Sequence, residues 1–76
     1  MEIHKNRAYA IDEDTDIIIR ATPEDAPTGE QKAFFIVDMN RYDKERTHYT
    51  TSSHCMETSE VRKLLGLKKR EVLVII

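Results

Sequence analysis

A single cysteine, two glycines and two prolines are spread over 76 residues. One cysteine closes no internal disulfide, so the chain reads as a product of a reducing compartment. The isolated glycines Gly29 and Gly66 build no phosphate-cradling loop. No apolar run exceeds the five residues of Val72–Ile76, far short of the ~20 that a membrane-spanning helix needs. The opening Met1–Asn6 is polar and lacks the apolar stretch of a secretory leader. Neither Asn6 nor Asn40 starts a glycosylation sequon. The resulting expectation is a cytoplasmic chain without membrane contact. Disorder is excluded on other grounds: the charge is high but nearly balanced, and the β-branched residues are clustered. One domain spanning residues 1–76 is expected, near the lower size limit for a self-supporting core.

What the chain does have is an uneven distribution of charge. Residues 1–38 carry nine acids against four bases, a net of −5, and residues 39–76 carry eight bases against five acids, a net of +3. The acids gather at Asp12-Glu13-Asp14, Asp16, Glu24 and Asp25. The bases gather at Arg62, Lys63, Lys68, Lys69 and Arg70. A chain that separates its charge this way presents two opposite surfaces if the fold keeps the halves apart.

Local patterns predict the elements. Ile3–Ile11 reads as a weakly alternating first strand, and the acidic stretch 12–16 as a turn, because Asp side chains compete for backbone hydrogen bonds. Ile17-Ile18-Ile19 and Lys32–Met39 are β-branched or aromatic blocks and read as strands. They flank a loop holding Pro23, Pro27 and Gly29, which suggests an antiparallel hairpin. Asn40–Asp43 reads as a turn, and Glu45–Thr51 as a solvent-facing strand. Val61, Leu64 and Leu65 make one apolar helical stripe. That helix, about 58–66, is expected to be capped by Thr58 or Ser59 and stopped by a left-handed Gly66 with Leu67 in contact. Arg70–Ile76 is continuously apolar after Glu71, which predicts a strand buried on both faces and central in the sheet. The expected class is α+β: an antiparallel-dominated sheet of four or five strands with one helix on one face.

One short helix covers only one face of such a sheet. Yet Ile18, Phe34 and Ile36 point to one face while Ile17, Ile19, Phe35 and Val37 point to the other. The uncovered apolar face needs a lid, and the expected lid is a second copy in a homodimer or a partner protein.

No constellation argues for catalysis. Asp12, Asp14 and Asp16 have the opening spacing of a calcium loop, but its turn glycine is replaced by Ile17 and its bidentate glutamate by Pro23. His48, His54 and Cys55 miss the spacing of zinc ligands, and adjacent residues diverge on a strand. The same divergence argues against a Cys/His nucleophile pair. The expectation is a non-enzyme without metal or cofactor.

The stretch Thr58–Val72 resembles the opening of an excisionase-type helix-turn-helix. It equally resembles the helix–Gly-Leu–basic–strand unit of looped-hinge antitoxins and transition-state regulators. The first family continues into a second helix, where this chain has β-prone Leu73–Ile76. The second inserts a Pro-Gly-Asp turn, where this chain has Lys69-Arg70. Both likenesses cover little of the chain and reflect a common way of ending a helix.

Size, split charge and a two-faced sheet point to a small protein-binding module, an inhibitor or adaptor. An anti-CRISPR-type inhibitor encoded by a phage or other mobile element is one concrete version. Its acidic loops (Asp12, Glu13, Asp14, Asp16, Glu24, Asp25) would dock on a basic, nucleic-acid-binding surface of another protein or protein–nucleic-acid complex. The competing expectation is a regulator that binds nucleic acid directly through Arg62, Lys63, Lys68, Lys69 and Arg70.

Overall fold

The computed structural model describes residues 1–22 and 34–76. In chain order the elements are β1 (Glu2–Ile3), β2 (Ala8–Ala10), β3 (Thr15–Ala21), β4 (Phe34–Tyr42), β5 (Tyr49–Glu57), α1 (Thr58–Leu64) and β6 (Val74–Ile75). Four strands form an antiparallel sheet in the order β2-β3-β4-β5, and β1 pairs in parallel with β6 as a separate ribbon. This is the α+β arrangement expected, with the helix on one side.

The two apolar blocks behave as their period of two requires. Ile17 lies opposite Met39 and Ile19 opposite Val37, while Ile18 lies opposite Asp38. Ile17, Ile19, Phe35 and Val37 therefore share one face, where they meet Ile3 and the helix residue Val61 in one buried cluster. Ile18, Ile36 and Phe34 share the other face. The shortest extent of the molecule is 17 Å; with ~10 Å between packed layers, that leaves room for the sheet and one covering layer.

The helix ends as its sequence foretells. Gly66 has φ of 67°, its N–H donates to the Lys63 carbonyl, and the Leu67 N–H donates to the Arg62 carbonyl, the paired bonds of a Schellman stop. A Cβ at position 66 would meet nothing within 4 Å, so only the backbone penalty of a left-handed L-residue remains. Gly66→Ala is expected to lower stability by about 1 kcal/mol, a fall in Tm of about 4–8 °C in a thermal melt. The start of the helix differs from expectation. Glu57 takes the N-cap position, and no side chain caps the helix.

Three other expectations are corrected. Residues 70–76 do not form a central strand: only Val74–Ile75 is strand, and it pairs with Glu2–Ile3 away from the main sheet. The middle of the sheet is held by β3 and β4, whose longer apolar blocks alternate in register. The C-terminal run turns only Leu73 and Ile75 toward the core; Val72, Val74 and Ile76 are exposed. Nor is Ile3–Ile11 continuous. A turn at Asn6, with φ of 64°, separates β1 from β2, and the Asn6 N–H donates to the Ile19 carbonyl.

The third correction concerns the second hairpin, whose turn lies at 43–48 rather than 40–43. Asp43 fixes it, its Oδ1 accepting the N–H of Thr47 at 2.9 Å and of His48 at 3.3 Å. β4 therefore runs on through Asn40 to Tyr42, and β5 begins only at Tyr49. The Pro23–Gly29 loop, together with Lys32 and Ala33, lies outside the described residues.

Candidate functional site

Among the described residues, the sheet face opposite the core cluster is open and is organised by side-chain hydrogen bonds. Its centre is a polar network that ties three strands together. Asp16 on β3 accepts from Asn40 Nδ2 at 2.8 Å and from the Tyr42 hydroxyl at 2.9 Å. Thr51 on β5 donates to Asn40 Oδ1 at 2.6 Å. Alternation explains the grouping: Asp16 lies opposite Asn40, and Asn40 opposite Thr51. A second linkage follows along the strands, where Asp38 accepts from Ser53 Oγ at 2.6 Å and pairs with Arg20 Nε at 3.3 Å. The apolar members of the face are half-buried Ile18 and Ile36 and exposed Phe34. Among the described residues nothing from the core cluster covers them.

One end of this face carries the acidic tip. Asp12, Glu13 and Asp14 are exposed in the connection from β2 to β3. The Asp14 N–H donates to Asp12 Oδ1 at 2.8 Å, and this bond holds the Asp12 carboxyl below its usual pKa. Two arginines lie beside the tip. Arg46 Nη1 donates to the Glu13 carbonyl at 2.6 Å and stacks over Tyr42 with its guanidinium carbon 4.7 Å from the ring centroid. Arg41 joins Asp12, Asp14 and Tyr42 in lining a shallow, open depression.

The acidic residues expected to act together are thus divided by the fold. Asp12, Glu13 and Asp14 are exposed at the tip, whereas Asp16 is half-buried and engaged in the network. Its hydrogen bond pushes the Tyr42 phenol above its usual pKa. Glu24 and Asp25 lie outside the described residues. Sequence reasoning missed Asn40, Tyr42 and Thr51; the signal was the alternation that places Asn40 and Tyr42 on the same side as Ile36 and Asp38.

The basic set occupies a different part of the molecule. Lys63, Lys68, Lys69 and Arg70 are exposed in and after α1. Arg62 Nη2 donates to the Lys68 carbonyl at 2.8 Å and so holds the basic turn against the helix. The acidic tip neighbours the Tyr42–Tyr49 end of the second hairpin, and α1 starts at the far end of β5. Nine residues of strand separate those ends, about 30 Å. The two charge groups are thus only partly separated: Arg41 and Arg46 sit beside the acidic tip at one end of β5, and Arg62 and Lys63 lie on the helix that begins at the other.

His48, His54 and Cys55 are all exposed and do not converge. His54 and Cys55 alternate across β5; His54 Nε2 bonds Ser52 Oγ at 2.8 Å, and His48 Nδ1 bonds Thr47 Oγ1 at 2.9 Å. Among the described residues no group of three His, Cys, Asp or Glu side chains is placed to hold a metal ion. No described helix is long and apolar enough to cross a membrane. Comparison with protein-family models, with curated proteins and with solved structures returns no match to this chain.

Proposed function

We propose that the chain is a non-enzymatic protein-binding module, an inhibitor or adaptor, that meets its partner with the open sheet face and the acidic tip at its edge. The observation that carries this reading is the open face itself. Ile18, Ile36 and Phe34 lie on a face whose strands are cross-linked by the Asp16–Asn40–Tyr42–Thr51 bonds. An apolar patch on a pre-organised, hydrogen-bonded platform needs little ordering on association. The tip adds Asp12, Glu13 and Asp14, which favour a basic partner surface and repel nucleic acid competing for it. An inhibitor of nucleic-acid machinery, of the anti-CRISPR type, is the concrete form of this reading.

The reading is tested on a partner recovered from the native host. Replacing Asp12, Glu13 and Asp14 together by Lys is expected to weaken its affinity tenfold or more, an effect of about 1.4 kcal/mol. Unchanged affinity at moderate salt would remove the tip from the interface. The alternative, direct nucleic-acid binding, is favoured by the exposure of Lys63, Lys68, Lys69 and Arg70. Fluorescence anisotropy with mixed-sequence DNA and RNA separates the two readings. The module is expected to show no saturable binding at physiological salt. Binding with a steep salt slope, lost in Lys68→Glu/Lys69→Glu, would establish the regulator instead.

A further inference from the structure

Among the described residues the longest exposed element is β5, an outer strand of the sheet. β5 pairs with β4 on one side and, among the described residues, with nothing on the other. The direction of its backbone groups follows from two bonds. The Tyr42 N–H donates to the Asp14 carbonyl, toward β3, and the Asp43 N–H donates to the His48 carbonyl, toward β5. In an antiparallel ladder each residue turns its N–H and C=O to the same neighbour, and successive residues alternate. With Tyr42 opposite Tyr49, the even residues Thr50, Ser52, His54 and Met56 bond to β4. Tyr49, Thr51, Ser53, Cys55 and Glu57 turn theirs outward.

Such an edge is ordinarily protected by a lysine, a proline, a bulge or extreme shortness. β5 has none of these: it is nine residues long, contains no Lys or Pro, and keeps an unbroken register with β4. We propose that this edge pairs with the same edge of a second copy. The two β5 strands run antiparallel about a two-fold axis at Ser53, joining two four-stranded sheets into one of eight.

Three features of the strand favour a second copy in this register. First, centring on Ser53 makes every outward residue meet an outward residue: Tyr49 faces Glu57 of the partner copy, Thr51 faces Cys55, and Ser53 faces itself. All five pairs then close, with about ten backbone hydrogen bonds. Second, the strand is compatible with itself in charge. Its one carboxylate, Glu57, lies opposite a tyrosine and His54 lies opposite Ser52, so no like charges meet.

Third, pairing gathers the sheet's exposed aromatic residues. Phe34 is 43% exposed at one end of the open face and Tyr49 is 58% exposed at the other. Phe34 lies opposite Glu57, so Tyr49 of the partner copy arrives two strands from Phe34, about 10 Å away, with Tyr42 of that copy beyond it. The open faces become one continuous surface. The second copy thus extends the face rather than covering it, and the inference stands whatever partner that face takes.

The test is the mass of the full chain in solution, by sedimentation or light scattering at tens of micromolar. Wild type is expected at about twice 8.9 kDa. Ser53→Pro deletes an outward N–H and no backbone bond to β4, and Ser53→Lys sets two like charges across the axis. Both lose the side-chain bond from Ser53 Oγ to Asp38, which lies within one copy and not across the axis. Each is expected to weaken dimerisation about tenfold or more with an unchanged circular dichroism spectrum. Ser53→Lys keeps the test valid if proline disturbs the strand. Mild oxidation of Ser53→Cys in a Cys55→Ser background is expected to give a covalent dimer, because residues paired across the axis bring their Cα atoms within disulfide reach. A monomeric wild type, a dimer unaffected by either substitution, or no cross-link through position 53 overturns the proposal.

Discussion

Ile19→Ala is expected to destabilise the protein by about 3 kcal/mol, and Ile18→Ala by about 1 kcal/mol or less. The two side chains are chemically identical and adjacent. They differ only in the face they occupy: Ile19 is fully buried in the core cluster, whereas Ile18 is half-buried on the open face. Removing Ile19 deletes apolar area and leaves a cavity bounded by Ile17, Val37 and their neighbours. A chain of 76 residues has a total stability of about 4–11 kcal/mol, so losing Ile19 consumes a large part of it. Urea titration of both variants reads the difference directly. Equal losses would mean that the second face is as tightly packed as the first.

Asp16→Ala is expected to cost about 1–3 kcal/mol, whereas Asp14→Asn at the tip costs less than about 0.5 kcal/mol. The first change strips the acceptor from both Asn40 and Tyr42. Asn40 is only 7% exposed, so water does not readily replace the lost partner. The second change leaves the backbone of the tip intact and alters an exposed charge. The pair also has a pH signature. The Tyr42 pKa is raised above 10.0, first by its bond to Asp16. Its stabilisation is therefore complete below the unfolded value and is lost as pH rises through the higher folded one. Tyr42→Phe and Asp16→Ala are each expected to remove that alkaline component from a series of urea titrations. An unchanged alkaline limb in both variants would show that the network is absent in solution.

The residues that were easiest to read in the sequence are those with period-two patterning. The assignment of Ile17 and Ile19 to one face and Ile18 to the other needed only alternation, and so did the division of Phe34 and Ile36 from Phe35 and Val37. Gly66 was equally legible, because few residues adopt a left-handed backbone. Other features depended on competition that composition does not express. Asn40 favours turns, but here its amide is satisfied by Asp16 and Thr51, so the strand continues and Asp43 takes over the turn. The Ser- and Thr-rich stretch 50–54 has little apolar content of its own and is strand because β4 offers it a nine-residue template. The C-terminal run misled for the opposite reason. Unbroken apolarity looks the same in a central strand as in a short flanking one, and only pairing with Glu2–Ile3 decides between them. Asp16 seemed part of an acidic cluster because it is close in sequence, whereas its position one residue before Ile17 turns it into the network.

The proposed role requires that this sheet keep one face buried and offer the other for binding. Methyl NMR of the full chain with a soluble paramagnetic probe measures that most directly. The Ile18 and Ile36 methyl signals are expected to be attenuated several-fold more than those of Ile17, Ile19 and Val37, in the dimer as well as in the Ser53→Lys variant. Equal protection of Ile18 and Ile19 would show that the second face is covered, and would contradict the account.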